Sequence, residues 1–285
     1  GGATASHEIE LLDPSGLVDR VQGIMLSGGS AMGLGCTAGA VEYFSDKMRG
    51  FATEQGVVPI VPGASLYDFG IGRAGAFPDA DDGFKACRSA EVDFERGNVG
   101  AGTGAVVGKI RGHAMGTKGG LGSAGWATED GLRVGALAAV NAFGDVVDPE
   151  TGLIIAGARG EDGRALDTMR AMVTGGHEAV RFGTNTTLCV VATNAKLTKV
   201  QAGVVARIAQ SGIARAVNPC HTQFDGDMVF VLSVQDEANG EMESDLNRVG
   251  VLASKMIEAA VIDAVLRAES AHGVVCAGEL GWVAG

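Results

Sequence analysis

Apolar runs of strand length alternate with segments of helical period along nearly the whole chain. This alternation confines the chain to the α/β class. A first strand is expected over residues 18–26, ending at Gly28-Gly29, with Ser30 capping a small-residue helix over roughly 30–48. The run "VVPIVPGASLYDF" is broken by Pro59 and Pro62 and reads as an edge strand or an irregular crossing. "DADDGFKACRSA" reads as a helix start, and residues 132–140 and 152–157 as two strands. Residues 160–182 are charged, carry Gly175-Gly176, and read as an exposed loop with a helical piece.

The second half follows the same rhythm. A strand over 188–192 is followed by a helix from about Thr198, in which Val200, Val204, Ile208 and Ile213 recur at helical spacing. "DMVFVLSV" is a strand. The segment from Glu243 is a long amphipathic helix, with Ser244 as its cap and Leu246, Val249, Met256, Ala260 and Val261 facing inward. No repeat or linker interrupts the pattern, so residues 1–285 read as a single domain.

Composition narrows the function. The hydrophobic fraction of 46% supports a large core, and 46 glycines against 6 prolines point to tight turns and close backbone approaches. A net charge of -12 with scattered Lys and Arg argues against nucleic acid and against anionic membrane surfaces. Five cysteines, an odd number without metal spacing, argue against a disulfide framework or zinc site and for a reducing, cytoplasmic location. No eighteen-residue apolar run and no signal peptide is visible. The start at Gly1-Gly2 without Met points to an absent N-terminal piece.

Several motifs fail on inspection. "GTGAVVGKI" lacks the first glycine of a phosphate loop, where Thr103 stands, and the hydroxyl after its lysine, where Ile110 stands. "GLGCTA", 33–38, meets a dinucleotide fingerprint but lies several residues beyond its strand. Asp225-Gly226-Asp227 by itself reads as a surface turn, and the acidic loop that calcium needs is missing. Asn185-Thr186-Thr187 is formally a glycosylation sequon. It leads straight into an apolar strand, and three readings stay open: a decorated surface turn, an ordinary strand start, or a self-cleavage site.

Six stretches, taken in order, carry a resemblance: "GIMLSGGSAMGL" (23–34), "PIVPGASLYDF" (59–69), "GNVGAGTGAVVGK" (97–109), "VGALAAVNAFGDVVD" (134–148), "GTNTTLCVVATNAKLTK" (183–199) and "PCHTQFDGDMVF" (219–230). Together they cover nearly the whole chain. They resemble the L-aminopeptidase/D-esterase family of self-cleaving N-terminal-nucleophile hydrolases, which includes the β-aminopeptidases and nylon-oligomer hydrolases. The resemblance implies a four-layer αββα sandwich, shared with ornithine acetyltransferase, and a homotetramer of αβ units. It implies cleavage between Asn185 and Thr186 into an α part, 1–185, and a β part, 186–285, of 285 - 185 = 100 residues.

The chemistry suits those residue types. A threonine hydroxyl needs a base within hydrogen-bond reach, and a freed α-amine has a pKa of about 7.7 to 8.0. Cleavage would therefore place nucleophile and base on one residue. By the same resemblance Asn141 would donate to an oxyanion, worth about 2.7 to 4 kcal/mol for such donors. Lys109 would act electrostatically, Tyr67 would face the pocket, and Asp225 and Asp227 would orient amine and nucleophile. The Gly28-Gly29-Ser30 turn would offer backbone N–H groups to the oxyanion or the substrate. From the residues alone, Asn141 is also a strand-end cap, Lys109 a solvated loop residue and Tyr67 a core tyrosine.

The resemblance has departures. Thr186 and Asp225-x-Asp227 stand where the β-aminopeptidase branch tends to have Ser and a Ser-x-Glu pair, with His221-Thr222 just before. This is closer to the nylon-oligomer branch, and no acidic residue for a free substrate amine is identifiable. The expectation is an amide hydrolase acting on a small amide or peptide, without cofactor or metal. The alternatives are acyl transfer of the ornithine acetyltransferase type and an uncleaved binding protein.

Overall fold

The computed structural model describes residues 1–175, 185–234 and 242–282. Its centre is a four-stranded sheet in the order Met228–Ser233, Thr186–Thr193, Arg133–Asn141, Gly120–Ala127. Thr186–Thr193 is an inner strand. It runs parallel to Met228–Ser233, with Leu188 opposite Met228, and antiparallel to Arg133–Asn141, with Thr186 opposite Asn141. The parallel pair is joined through the helix Lys199–Ala216, as a parallel connection requires.

Both faces of the inner strand are buried, which explains its uninterrupted apolar sequence. Leu188 faces a cluster with Ala64, Leu66, Ala139 and Phe230. Cys189 and Val191 face the opposite cluster, with Val205, Ala209, Ile213, Val249 and Ile257 from two helices. Each fully buried Leu, Val, Ile or Phe among them contributes roughly 1.5–3 kcal/mol by leaving water. The helices are Lys199–Ala216 and Leu246–Leu266. They approach so closely that a Cβ on Gly212 would lie 2.2 Å from the Ser254 carbonyl oxygen. On the other side of the sheet lies a small three-stranded sheet, ordered Ala5–His7, Gly63–Ser65, Met25–Ser27. Beyond it the helix Cys36–Asp46 packs Thr37 towards Gly63, and Ala80–Arg88 lies against that helix. The architecture is mixed α/β, as the alternation requires. Among the described residues no helix is long and apolar enough to cross a membrane.

Several elements differ from expectation. Regular strand begins only at Met25, because Gln22 instead brackets Ile60: its N–H donates to the Ile60 carbonyl and its Oε1 accepts the Ile60 N–H. The expected helix over 30–48 is two helices, Ser30–Gly33 and Cys36–Asp46. Ser30 is not the cap: it lies inside the first turn with φ 52, and Gly29 precedes it. The strand Gly120–Ala127 was not expected, since "GLGSAGWA" has weak strand propensity. Its glycines answer packing instead, since a Cβ on Gly122 would lie 2.2 Å from the Ala260 carbonyl oxygen of the long helix.

The cap of that long helix is Asp245, which accepts the Arg248 N–H at 3.0 Å, and not Ser244. In Lys199–Ala216 the fully buried face is Val205, Ala209, Ile213 and Ala216, while Val200 is exposed. Thr198 does cap this helix, in a reciprocal pair with Gln201. The helical piece expected within 160–182 is Thr168–Val173; the remainder, 176–182, lies outside the described residues.

Candidate active site

The central sheet delivers Thr186 and Asn141 to one end, side by side on neighbouring strands. Asn185, Thr186, Asn141, Lys109, Asp225 and Asp227 are all buried, none more than 6% exposed. That burial removes the surface-turn reading of Asp225-Gly226-Asp227, the solvated-loop reading of Lys109 and the decorated-turn reading of Asn185. A polar cluster this deep must satisfy itself internally.

The Asn185–Thr186 peptide is held from two sides. The Thr186 hydroxyl donates to the carbonyl oxygen of Asn185 at 2.5 Å. The Gly226 N–H donates to that same oxygen at 2.8 Å. Gly226 is compulsory here, because a Cβ would sit 2.8 Å from both Thr186 Oγ1 and the Ala3 carbonyl oxygen. Asn185 is further anchored by its Nδ2, which donates to the Phe224 carbonyl at 3.2 Å. The neighbouring Cys189 is no rival nucleophile, since burial raises its thiol pKa.

Asn141 is tied down on every side. Its Oδ1 accepts the Val106 N–H at 3.0 Å and Lys109 Nζ at 2.9 Å, and its Nδ2 donates to the Tyr67 carbonyl at 2.8 Å. Lys109 Nζ also donates to the Asn141 carbonyl at 2.8 Å. Burial holds the Lys109 pKa well below that of an ordinary lysine, opposed by Asp225, Asp68 and Asp227. Tyr67 reaches the cluster through its backbone carbonyl, while its ring stacks edge-on against Phe69 at 5.2 Å.

The two carboxylates are each held by one residue of the preceding loop. Asp225 Oδ2 accepts the Thr222 N–H at 3.0 Å and the Thr222 hydroxyl at 2.7 Å; its Oδ1 accepts the Phe143 N–H at 3.3 Å. Asp227 Oδ2 lies 2.9 Å from both the His221 N–H and His221 Nδ1, and its Oδ1 accepts the Thr187 N–H at 2.7 Å. Burial, and then the charge of Asp227, raise the Asp225 pKa. The Asp227 contact, and then Cys220, push His221 up to about 10. The Asp227 carboxylate thus grips the backbone of the residue that follows Thr186, whereas the Asp225 carboxylate ties Thr222 to Phe143.

The Gly28-Gly29-Ser30 turn is placed differently from expectation. The Gly29 N–H donates to Asp68 Oδ1 at 2.8 Å and the Ser30 N–H to the Leu66 carbonyl at 2.9 Å, so neither is free for an oxyanion. The backbone donor on the Asn185 carbonyl is Gly226 instead. Sequence reasoning missed Asp68, although it directly follows Tyr67. Its carboxylate fills a slot made by two glycines: a Cβ on Gly28 or on Gly104 would lie 2.4 Å from Oδ2. Sequence reasoning noted His221 only as a departure and gave it no role.

Comparison with known proteins settles the family. Residues 1–276 match the model of Peptidase family S58. The chain belongs to this family. As a family S58 member it is an enzyme, a hydrolase of the peptidase class. It is 37% identical over 290 residues to an uncharacterized aminopeptidase of Mycobacterium tuberculosis, covering 96% of this chain and 82% of that one. It is 27% identical over 269 residues to the 6-aminohexanoate-oligomer endohydrolase of a Kocuria strain, covering 88% and 73%. Among solved structures, the β-aminopeptidase of a Burkholderia strain aligns with TM-score 0.67 and 17% identity, over 100% of this chain and 80% of that one. The L-aminopeptidase D-Ala-esterase/amidase of Ochrobactrum anthropi, described as a new variant of the Ntn hydrolase fold, aligns with TM-score 0.61 and 22% identity, over 86% and 67%. At these identities the two structures speak to fold alone.

Proposed function

We propose that this family S58 protein is an N-terminal-nucleophile amide hydrolase that cuts itself between Asn185 and Thr186. Its residues 1–285 would form one four-layer αββα domain, processed into parts 1–185 and 186–285. The observation that carries the reading is the doubly held peptide. The Thr186 hydroxyl lies 2.5 Å from the Asn185 carbonyl oxygen, and the Gly226 N–H lies 2.8 Å from that oxygen. A hydroxyl folded back onto its own preceding carbonyl, with a backbone donor already on the oxygen, suits an N-to-O acyl shift.

The steps follow from those atoms. Oγ1 of Thr186 bonds to the Asn185 carbonyl carbon and gives up the proton that the Thr186 amide nitrogen will take, and the charge that builds on oxygen is met by the Gly226 N–H. The C–N bond then breaks, its nitrogen takes a proton, and Asn185 is left as an ester on Thr186. Water opens the ester, releasing the Asn185 carboxylate and a Thr186 that carries a free amine and a free hydroxyl. In turnover the amine takes the hydroxyl proton as Oγ1 attacks a substrate amide. The substrate's amine leaves with a proton, and water cleaves the resulting ester.

Lys109 supports this by holding Asn141, the strand neighbour of Thr186, through two Nζ hydrogen bonds. Asn141 holds the Tyr67 backbone and the strand end, Asp227 fixes the backbone at Thr187, and Asp225 ties Thr222 to Phe143. The substrate is a small amide or peptide of the aminopeptidase or ω-amino-acid-oligomer type, which the mycobacterial and Kocuria relatives support by name. No cofactor enters the scheme. Five free cysteines support a reducing, cytoplasmic setting, and the working assembly is a homotetramer of αβ units. The test is processing and amide hydrolysis by the wild type against Thr186→Ala. The wild type should yield two fragments and hydrolyse 6-aminohexanoate oligomers or aminoacyl amides. The variant should stay whole and inactive, and a Thr186→Ala protein that is cut or active would refute the reading.

A further inference from the structure

His221 and Thr222 are adjacent in sequence, and each embraces one carboxylate in the same way. Each gives its backbone N–H and its side chain to a single oxygen: His221 to Asp227 Oδ2, at 2.9 Å twice, and Thr222 to Asp225 Oδ2, at 3.0 and 2.7 Å. The two grips differ in one respect. The imidazole can carry a positive charge and the hydroxyl cannot.

We infer that His221-Thr222 is the device that makes the two carboxylates unequal, with His221 a positioning residue that holds a fixed ion pair to Asp227 and leaves Asp225 to change protonation. Three observations carry this. Asp227 links the imidazole to the strand of Thr186 through the Thr187 N–H at 2.7 Å, so the pair is built into the backbone next to the nucleophile. Asp225 pairs with no cation of its own loop; its partners there are a hydroxyl and a backbone N–H, with the Phe143 N–H beyond. His221 sits at φ 58, a left-handed conformation that aims its own N–H and its ring at one oxygen, which marks it as held in place.

The shifts agree with this geometry: His221 is pushed up to about 10, and Asp225 is raised by burial and by Asp227. Burial and the neighbouring Asp227 charge both disfavour the ionised form of Asp225, and its own loop supplies no cation to offset them. The other titratable groups that act on Asp227 among the described residues are Lys109 and Cys189, with the Gly1 nitrogen 3.2 Å from its backbone carbonyl, while Cys220 acts on His221. Of these, Lys109 acts on both carboxylates and cannot by itself separate them.

The inference rests on Thr186 as nucleophile, and its test separates the two. The His221 ring is titrated by NMR in the wild type, in Thr186→Ala and in Asp227→Asn. Processing is followed in His221→Gln, which keeps a donor without charge, and in His221→Lys, which restores the charge. The expected result is an imidazolium that persists above about pH 8 in the wild type and in Thr186→Ala but not in Asp227→Asn. Processing should slow at least about tenfold in His221→Gln and largely recover in His221→Lys. A ring that titrates near the ordinary 6.5 in the wild type overturns the inference. So does equal processing in the Gln and Lys variants. Should the wild type yield no fragment, the nucleophile reading falls. The ring titration, read on the uncut chain, then decides the ion pair alone, for or against.

Discussion

Around Thr186 the decisive contacts come from groups of unequal visibility. The hydroxyl belongs to a side chain, whereas the Gly226 donor on the Asn185 carbonyl is a backbone N–H, the same in every residue but proline. Glycine is required there by space alone, so Gly226→Ala should push the Thr186 hydroxyl aside and slow processing by about a hundredfold, read as the rate of appearance of the 186–285 fragment. Lys109→Met keeps the length but removes both Nζ bonds to Asn141, one at its carbonyl and one at its Oδ1. Its processing should fall by a similar factor, and its stability by about 1–3 kcal/mol in denaturant melts of the uncut background.

His221 contributes one pH dependence here, and the lowered pKa values of Lys109 and Lys118 contribute another of opposite sign. The folded pKa of His221 lies above the unfolded 6.5, so the folded state binds the extra proton. The stability contributed by the pair is therefore complete below about 6.5 and is lost as pH rises towards about 10. The margin in thermal midpoint of uncut Thr186→Ala over the same protein with Asp227→Asn should narrow across that window. A margin that stays constant with pH would remove the ion pair from the account.

At the scale of elements, the strands and helices that carry the site are buried on one or both faces, and such elements announce themselves. Leu188 to Ala192 reads as a strand because both its faces are apolar, and Lys199–Ala216 because its inward positions repeat at helical spacing. What stayed hidden was set by contact across space. Gly120–Ala127 joins the sheet although its glycines argue against strand, because the long helix lies too near for side chains. Nothing in the sequence marks Asp68, whose place between Gly28 and Gly104 is set by the fold. The oxyanion role expected of Gly29 and Ser30 fails because Asp68 and Leu66 already hold those amides. The cap of the long helix gives a direct check. Asp245→Ala should cost about 1 kcal/mol in denaturant midpoint, while Ser244→Ala should leave the helix cap intact.

For the whole molecule, processing at residue 185 would cut the chain without opening the fold. Thr186–Thr193 is hydrogen-bonded to Arg133–Asn141 from the first fragment and to Met228–Ser233 from the second, and the clusters on both its faces mix residues of both. The fragments should therefore co-elute as one particle in native size exclusion and separate only in denaturant. The central claim is the break itself, and intact-mass analysis with N-terminal sequencing of purified, active wild type tests it most directly. The account predicts that the 28.8 kDa chain is replaced by two fragments, the smaller beginning Thr186-Thr187-Leu188-Cys189-Val190. Full amidase activity from an unbroken 28.8 kDa chain would contradict it.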